Sequence, residues 1–257
     1  PLLEGAEGMY LARQKRALFF NAYADAAYVR LTNEVSTYER DIARFRRDVT
    51  AVDSDRVIVD YGNGRTREVG RSELLAEIAG DERKLREAKE KLRQHVNGNN
   101  ASTTIHECVH QLSFHMGLLR ADADTPHWLS EGIATLFESS LRGEVRDPGA
   151  TNPERLATFR IARRTDRMIP LADLLASDGA FFSAAHPQAY AQSWVLTSFL
   201  LRERPAALRD YMAVVRGRRA EEGTTIDRAM RLRDFRAAFG EDLASFERSL
   251  SAYVDGL

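Results

Sequence analysis

Apolar residues in the first third of the chain recur with two different periods. Residues 9–28 contain short apolar runs around a basic turn, a pattern that we interpret as a β-hairpin. From residue 31 to residue 48, apolar side chains recur every three or four positions with charged residues between them. This spacing is typical of one face of an amphipathic helix. The chain is therefore predicted to begin with a hairpin and a helix.

A second hairpin is predicted around Asn63-Gly64. Two β-type runs, residues 56–61 and 66–69, flank this pair. Asn-Gly favours a two-residue turn because both turn positions need positive φ. Residues 72–95 return to helical spacing, and the Asn-Gly-Asn-Asn sequence at residues 97–100 predicts a loop that ends this helix.

Residues 33–97 thus form a predicted helical insert with a β-hairpin. The remaining residues, 1–32 and 98–257, are expected to form the main domain. The insert could be a lid, a docking arm for a protein partner, a dimer contact through paired helices, or a purely structural element. All four alternatives remain open at the level of sequence.

The second half of the chain has mostly helical patterns. Gly240, between two such patterns, is typical of a helix stop. We expect turn-rich residues at 138–152 and a loop at 180–187. Predicted helices include residues 156–164, 169–175, 190–202, 208–215, 226–230 and 243–254.

Composition narrows the class of protein without identifying it. Charged residues make up 29% of the chain, but the formal net charge is −1, so bulk electrostatics do not indicate nucleic-acid binding. No stretch approaches the roughly 18–20 consecutive apolar residues of a membrane span. Cys108 is the only cysteine, so an intrachain disulfide is excluded, and its helical position predicts a small buried hydrophobe.

The chain begins with Pro1 and no signal-peptide pattern follows it. We interpret the sequence as a trimmed or mature fragment that lacks its original N-terminus. Its localisation is therefore left open, with export of the full-length protein as one alternative.

The candidate chemistry is concentrated in residues 106–110, an H-E-x-x-H sequence. On a helix, this spacing puts His106 and His110 on one face, where both imidazoles can reach a single metal ion. Glu107 lies on the adjoining face and can take a proton from a metal-bound water, whose pKa a zinc ion lowers from about 15.7 to about 7. The combination is typical of a hydrolase. Because catalytic zinc usually has three protein ligands, a third is expected elsewhere.

A second helix-like segment carries Glu131 in the sequence W-L-S-E-G-I-A, residues 128–134. With the H-E-x-x-H sequence, it resembles the gluzincins, the thermolysin-like and aminopeptidase-like (peptidase MA-like) zinc peptidases. The run of residues 103–138, together with Tyr190-Ala191-Gln192-Ser193-Trp194, is more closely similar to a bacterial family of predicted gluzincins labelled only as a domain of unknown function.

The resemblance implies a set of site residues. One Zn²⁺ per chain would be bound by His106, His110 and Glu131, with Glu107 as the general base. In aminopeptidase-like gluzincins, a Tyr several dozen residues beyond the Glu ligand stabilises the negative charge that develops on the substrate oxygen. Tyr190 is at a comparable position.

The role of Tyr190 has an alternative, a core Tyr at the start of a buried helix. His186, four residues earlier in the predicted loop, is the substitute candidate for the same role. A ligand His normally donates its other ring N–H to a carboxylate or carbonyl. The candidates for this support are Thr135, one turn beyond Glu131, and Glu138, two turns beyond it.

The implied fold is α+β: a mostly helical zincin-like metallopeptidase fold with a small N-terminal β-sheet next to the metal helix, plus the insert. In gluzincins the edge strand of this sheet pairs with the bound peptide, so the first hairpin is either a substrate ledge or a plain structural hairpin. The expected function is a zinc-dependent metallopeptidase acting on a peptide or protein substrate. Two alternatives remain: an inactive gluzincin-fold interaction module, and a zinc hydrolase of a non-peptide amide.

Overall fold

The computed structural model of the chain describes residues 8–11, 14, 16–19, 26–60, 65–138, 150–219, 227–240 and 242–257. These residues are mostly helical and include two two-stranded antiparallel sheets, which confirms the predicted α+β class. The chain divides into two compact units. One contains Pro1–Phe20 and Ala101–Leu257, and the other contains Asn21–Asn100.

The first predicted hairpin corresponds to strands β1 (Gly8–Leu11) and β2 (Arg16–Phe19). They pair antiparallel, with Gly8 opposite Phe19 and Leu11 opposite Arg16. Helix α1 spans Ala26–Ala51, so the end of the predicted hairpin region is already helical.

The smaller unit has its own hydrophobic core. Strand β3 (Arg56–Asp60) pairs with β4 (Thr66–Gly70) as predicted, while the turn residues 61–64 lie outside the described part of the chain. Helix α2 (Arg71–His115) follows directly. Core side chains come from α1, β4 and α2, and they are Val49, Val69, Leu74 and Ile78.

Two ion pairs join α1 to α2 within this unit. Arg46 lies 2.6 Å from Glu82 and Lys89 lies 2.8 Å from Glu39. The later residue of α1 pairs with the earlier residue of α2, so the two helices run antiparallel.

The predicted loop at residues 97–100 is wrong, because α2 continues through these residues to His115. A glycine inside a helix costs only about 1 kcal/mol relative to alanine. A helix that has already formed can absorb this cost, since each added residue also adds a backbone hydrogen bond. The H-E-x-x-H residues are therefore near the end of one 45-residue helix.

The prediction for Cys108 is also wrong, since its side chain is exposed. Cys108 lies on α2 away from His106 and His110, and Leu112, one turn later on its side of the helix, is exposed as well. The helix therefore buries its histidine face and leaves the cysteine face in solvent.

The larger unit is built around one apolar helix, α6, which packs against α3, α4, α7 and α9. Two fully buried tryptophans, Trp128 and Trp194, are contributed by α3 and α6. Besides the C-terminal part of α2, the described helices of this unit are α3 (His127–Thr135), α4 (Pro153–Arg164), α5 (Leu171–Ala176), α6 (His186–Glu203), α7 (Pro205–Gly217), α8 (Arg228–Phe239) and α9 (Leu243–Asp255).

Two details of the sequence interpretation are resolved in this unit. The predicted loop at residues 180–187 is correct only for the turn at residues 183–185, because a 3₁₀-helix, Gly179–Phe182, precedes this turn and α6 begins at His186. Pro187 lies in the first turn of α6, where its missing N–H costs nothing. The predicted stop at Gly240 is confirmed, because α8 ends at Phe239 and Gly240 has φ 110°.

None of the described helices combines the length and the apolar character that crossing a membrane requires.

Candidate metal centre

Two helices bring the three predicted ligands together. His106 and His110 project from the same face of α2, one turn apart, because they are four residues apart in the helix. Glu131 lies near the middle of α3, a short helix in which every residue after His127 is buried. Burial of the whole helix fixes the Glu131 backbone in the core.

The ligand atoms converge on one point. His106 Nε2 lies 3.0 Å from His110 Nε2 and 3.0 Å from Glu131 Oε2, and His110 Nε2 lies 3.2 Å from Glu131 Oε2. A tetrahedral ion with bonds of about 2.0 Å needs ligand atoms about 3.3 Å apart. The three residues are buried and can hold a metal ion.

Burial and the neighbouring charged groups have opposite effects on the pKa values of this cluster. Burial alone would lower the pKa of His106, but hydrogen bonds with Glu131 and Glu138 outweigh it and raise the pKa to about 10. Burial would raise the pKa of Glu131, but the charge of His110 and hydrogen bonds with both histidines lower it well below its usual value. Glu131 is therefore ionised, as a metal ligand must be.

Glu107 is buried beside this cluster, and its Oε2 atom has no hydrogen-bond partner among the described residues. Burial raises the pKa of Glu107, while the charges of His106 and His110 lower it in part. A buried carboxylate oxygen without a partner is costly in a folded protein. Its place next to the three residues that can hold a metal ion leaves this oxygen free to accept from a further group bound there.

Glu138 supports the other side of the His106 ring. His106 Nδ1 donates to Glu138 Oε1 at 2.9 Å, which leaves Nε2 directed at the ligand cluster. Burial would raise the pKa of Glu138, but hydrogen bonds with His106 and Arg155 lower it to about 2. Thr135, the other predicted supporting residue, donates instead to the carbonyl oxygen of Gly132 in its own helix at 2.9 Å.

Two residues that the sequence did not single out complete this side of the site. Arg155 donates to both oxygens of Glu138, and Asn152 donates to Oε2. Asn152 followed by Pro153 is a helix-start signal in the sequence. No spacing rule, however, predicts that Arg155 contacts Glu138, a carboxylate 17 residues earlier in the chain.

Tyr190 and His186 have different surroundings. The Tyr190 ring is centred 6.0 Å from the His106 ring and is partly buried, whereas His186 is exposed at the first residue of α6. His186 Nδ1 lies 3.2 Å from the carbonyl oxygen of Ser183. The structure thus places Tyr190, of the two, next to the ligand cluster.

The site is a buried group of two histidines and one glutamate that can hold a metal ion. Residues 100–220, which contain all of these residues, match the model of a family described as a protein of unknown function (DUF1570). No curated protein and no solved structure matches the chain.

Proposed function

We propose that the chain is a zinc-dependent metallopeptidase that hydrolyses peptide bonds, with His106, His110 and Glu131 as the zinc ligands and Glu107 as the general base. The observation that carries the proposal is the convergence of the three ligand atoms beside a buried carboxylate, one oxygen of which has no partner in the described part of the chain. Two His and one Glu form a ligand set that catalytic zinc uses in peptidases. The resemblance of the H-E-x-x-H and W-L-S-E-G-I-A sequences to gluzincin motifs supports the same assignment.

The roles of the side chains follow from their positions. When bound, Zn²⁺ would acidify a water molecule and polarise the substrate carbonyl. Glu107 accepts the proton of the attacking water and passes it to the leaving amine. Its burial suits this role, because a raised pKa brings a carboxylate closer to the pKa values at which proton transfer at neutral pH is efficient.

Tyr190 is proposed as the residue that stabilises the developing oxyanion. The negative charge of Glu131 raises the pKa of the phenol, burial raises it further, and the opposing charge of Arg155 does not cancel these effects. Tyr190 is therefore protonated at neutral pH and can donate a hydrogen bond to the substrate oxygen as negative charge develops there.

The proposal extends to the fold and the substrate. The unit that contains the ligands would be a zincin-like catalytic domain, and residues 33–97 would be an insert in it. The substrate class would be a peptide or an unfolded protein.

The test combines metal content with proteolysis. Purified wild type should carry about one zinc per chain and cleave casein. Glu107→Gln should keep the zinc and lose activity by about 10²- to 10⁴-fold, the usual contribution of general base catalysis. Glu154→Gln, an exposed glutamate on α4, is the matched control and should behave as wild type.

Two results would count against the proposal. Wild type that binds zinc but cleaves neither casein nor a peptide library would favour an interaction module or a hydrolase of a non-peptide amide. Equal activity of wild type and Glu107→Gln would attribute cleavage to a contaminating protease.

A further inference from the structure

Glu138 receives more hydrogen bonds than support of one histidine requires. Arg155 Nη2 donates to Oε1 and Arg155 Nε donates to Oε2, both at 2.8 Å. This is the bidentate fork between a guanidinium and a carboxylate, which fixes the relative orientation of both groups. Asn152 Nδ2 adds a third hydrogen bond, to Oε2, at 3.2 Å.

The fork fixes the carboxylate that accepts from His106 Nδ1. Glu138 follows α3, in a turn, so helical backbone hydrogen bonds do not by themselves fix its side chain. Its Oε1 accepts from both His106 Nδ1 and Arg155, while Oε2 is occupied by Arg155 and Asn152. Rotation of the carboxylate would break hydrogen bonds at both oxygens.

The start of helix α4 fixes Arg155 in turn. Asn152 caps this helix, since its side chain accepts from the backbone N–H of Arg155 at 3.1 Å. Asn152 is itself buried, and the Arg155 side chain is 27% exposed. The residue that caps α4, Asn152, therefore contacts both members of the Arg155–Glu138 pair.

Arg155 also contacts Tyr190, the residue proposed to stabilise the oxyanion. Its guanidinium carbon lies 5.3 Å from the centre of the Tyr190 ring, within the range of a cation–π contact. One guanidinium thus contacts the support of a ligand histidine and the ring of Tyr190.

We infer that Arg155 is a positioning residue of the metal centre. Its guanidinium orients His106 through Glu138 and also holds the Tyr190 ring in place through the cation–π contact. The inference rests on the proposed metal site but not on the reaction catalysed there. Arg155 acts through Glu138, so its effect on metal binding must vanish when Glu138 is absent.

The first test measures the affinity for Zn²⁺ alone, by competition with a chelator and without substrate. Removing a group that supports a metal ligand typically weakens metal binding about 10- to 100-fold. We expect a loss of this size in Arg155→Met and a smaller loss in Arg155→Lys, which keeps the charge but cannot form the fork. Arg160→Met, an exposed arginine on the same helix, should change the affinity less than about 3-fold, well below the loss expected at a supporting residue.

A double-mutant cycle separates positioning from a general effect on folding. In a Glu138→Ala background, adding Arg155→Met should weaken zinc binding by less than about 3-fold, because coupled residues are not additive. A loss in that background as large as in wild type would overturn the inference, as would wild-type affinity in Arg155→Met. If Arg155→Met fails to fold, the same comparisons with Arg155→Lys decide the question.

The second test reads the orientation of His106 directly. In protein labelled with nitrogen-15 histidine and free of metal, the Nδ1 proton of His106 should exchange slowly with water. It should exchange quickly in Arg155→Met and slowly in Arg160→Met. Slow exchange in Arg155→Met would contradict the inference. The two proposals can fail separately. If the His106 Nδ1 proton exchanges quickly in Arg155→Met while the wild type has no peptidase activity, the proposed function is rejected and the positioning role of Arg155 is supported.

Discussion

Tyr190 lies between the ligand cluster and the aromatic ring of Phe181. Its ring is centred 6.0 Å from the His106 ring and 5.6 Å from the Phe181 ring, and Arg155 covers it at 5.3 Å. The ring and the hydroxyl of Tyr190 therefore have separate roles, one in packing and the other in hydrogen bonding. The ring fills space against Phe181, while the hydroxyl, which interacts with Glu131, is the group that we propose as the donor to a substrate oxygen.

Replacing Tyr190 with Phe should separate these contributions. The variant keeps the ring contacts but loses the donor, so we expect kcat to fall about 10²-fold, as when one oxyanion donor is removed. Zinc content and thermal stability should stay near wild type. The measurement is the rate of cleavage of a peptide found with the wild-type enzyme.

Tyr253→Phe is the matched control for Tyr190→Phe. Its hydroxyl is 2.8 Å from Ser198 Oγ, and the substitution removes a partly buried hydrogen bond elsewhere in the same unit. It should cost about 1 kcal/mol of stability and leave kcat unchanged. A Tyr190→Phe enzyme with wild-type kcat would show that the phenol is only a packing group.

The site residues differ in how far the sequence could predict them. His106 and His110 are predictable because the helical period alone places them together, and Glu131 because a known ligand pattern surrounds it. Arg155 and Asn152 could not be predicted, since their contacts with Glu138 depend on how α4 packs. Exposure of Cys108 was also beyond the sequence, because it depends on which faces of α2 other elements cover.

At the scale of the elements, the position of Glu131 depends on how closely α3 approaches α6. Gly132, the next residue, faces α6 without a side chain. A Cβ atom there would lie 2.8 Å from the carbonyl oxygen of Ser193 and closer still to Thr197 Oγ1. The two helices are therefore packed at a distance that only glycine permits at this position.

Gly132→Ala is expected to push α3 away from α6. Overpacking of this kind costs about 1–3 kcal/mol, and displacement of α3 should also weaken zinc binding, because Glu131 moves with the helix. Gly80→Ala is the control, since a Cβ on Gly80 of α2 meets nothing within 4 Å and alanine favours helix. Denaturant unfolding and zinc competition measure the two effects. Unchanged stability and zinc affinity in Gly132→Ala would mean that α6 moves to accommodate the Cβ at little cost in free energy.

The prediction of elements succeeded where local signals were strong. Asn63-Gly64 predicted the β3–β4 hairpin, and Gly240 predicted the end of α8, because backbone conformation at such residues is decided locally. The loop predicted at residues 97–100 was wrong since the surrounding helix outweighs a weak breaker. The start of α6 was missed because Pro187 was read as a loop residue, although proline is compatible with the first turn of a helix.

At the scale of the larger unit, a buried charge network joins three segments distant in sequence. Arg231 of α8 is only 2% exposed and lies 2.5 Å from Asp124 and 2.7 Å from Asp178. Asp178 also accepts from the backbone N–H of His127 at 3.0 Å, at the first residue of α3. The network therefore connects α8 to the start of the helix that carries Glu131.

Arg231→Met should destabilise the unit by about 3–5 kcal/mol, because it removes the counter-charge of the partly buried Asp124 and leaves the buried Asp178 with only His127 as a charged partner. Arg228→Met is the matched control on the same helix: Arg228 forms an exposed pair with Asp173 at 2.8 Å, and exposed pairs contribute about 1 kcal/mol or less. Denaturant unfolding of the metal-free proteins gives both values. Since Asp178 holds the start of α3, zinc affinity should fall in folded Arg231→Met and not in Arg228→Met. Equal stability of the two variants would mean that His127, water or a shift of α8 compensates Asp124 and Asp178 for the loss of Arg231, and that the network does not hold α3 in place.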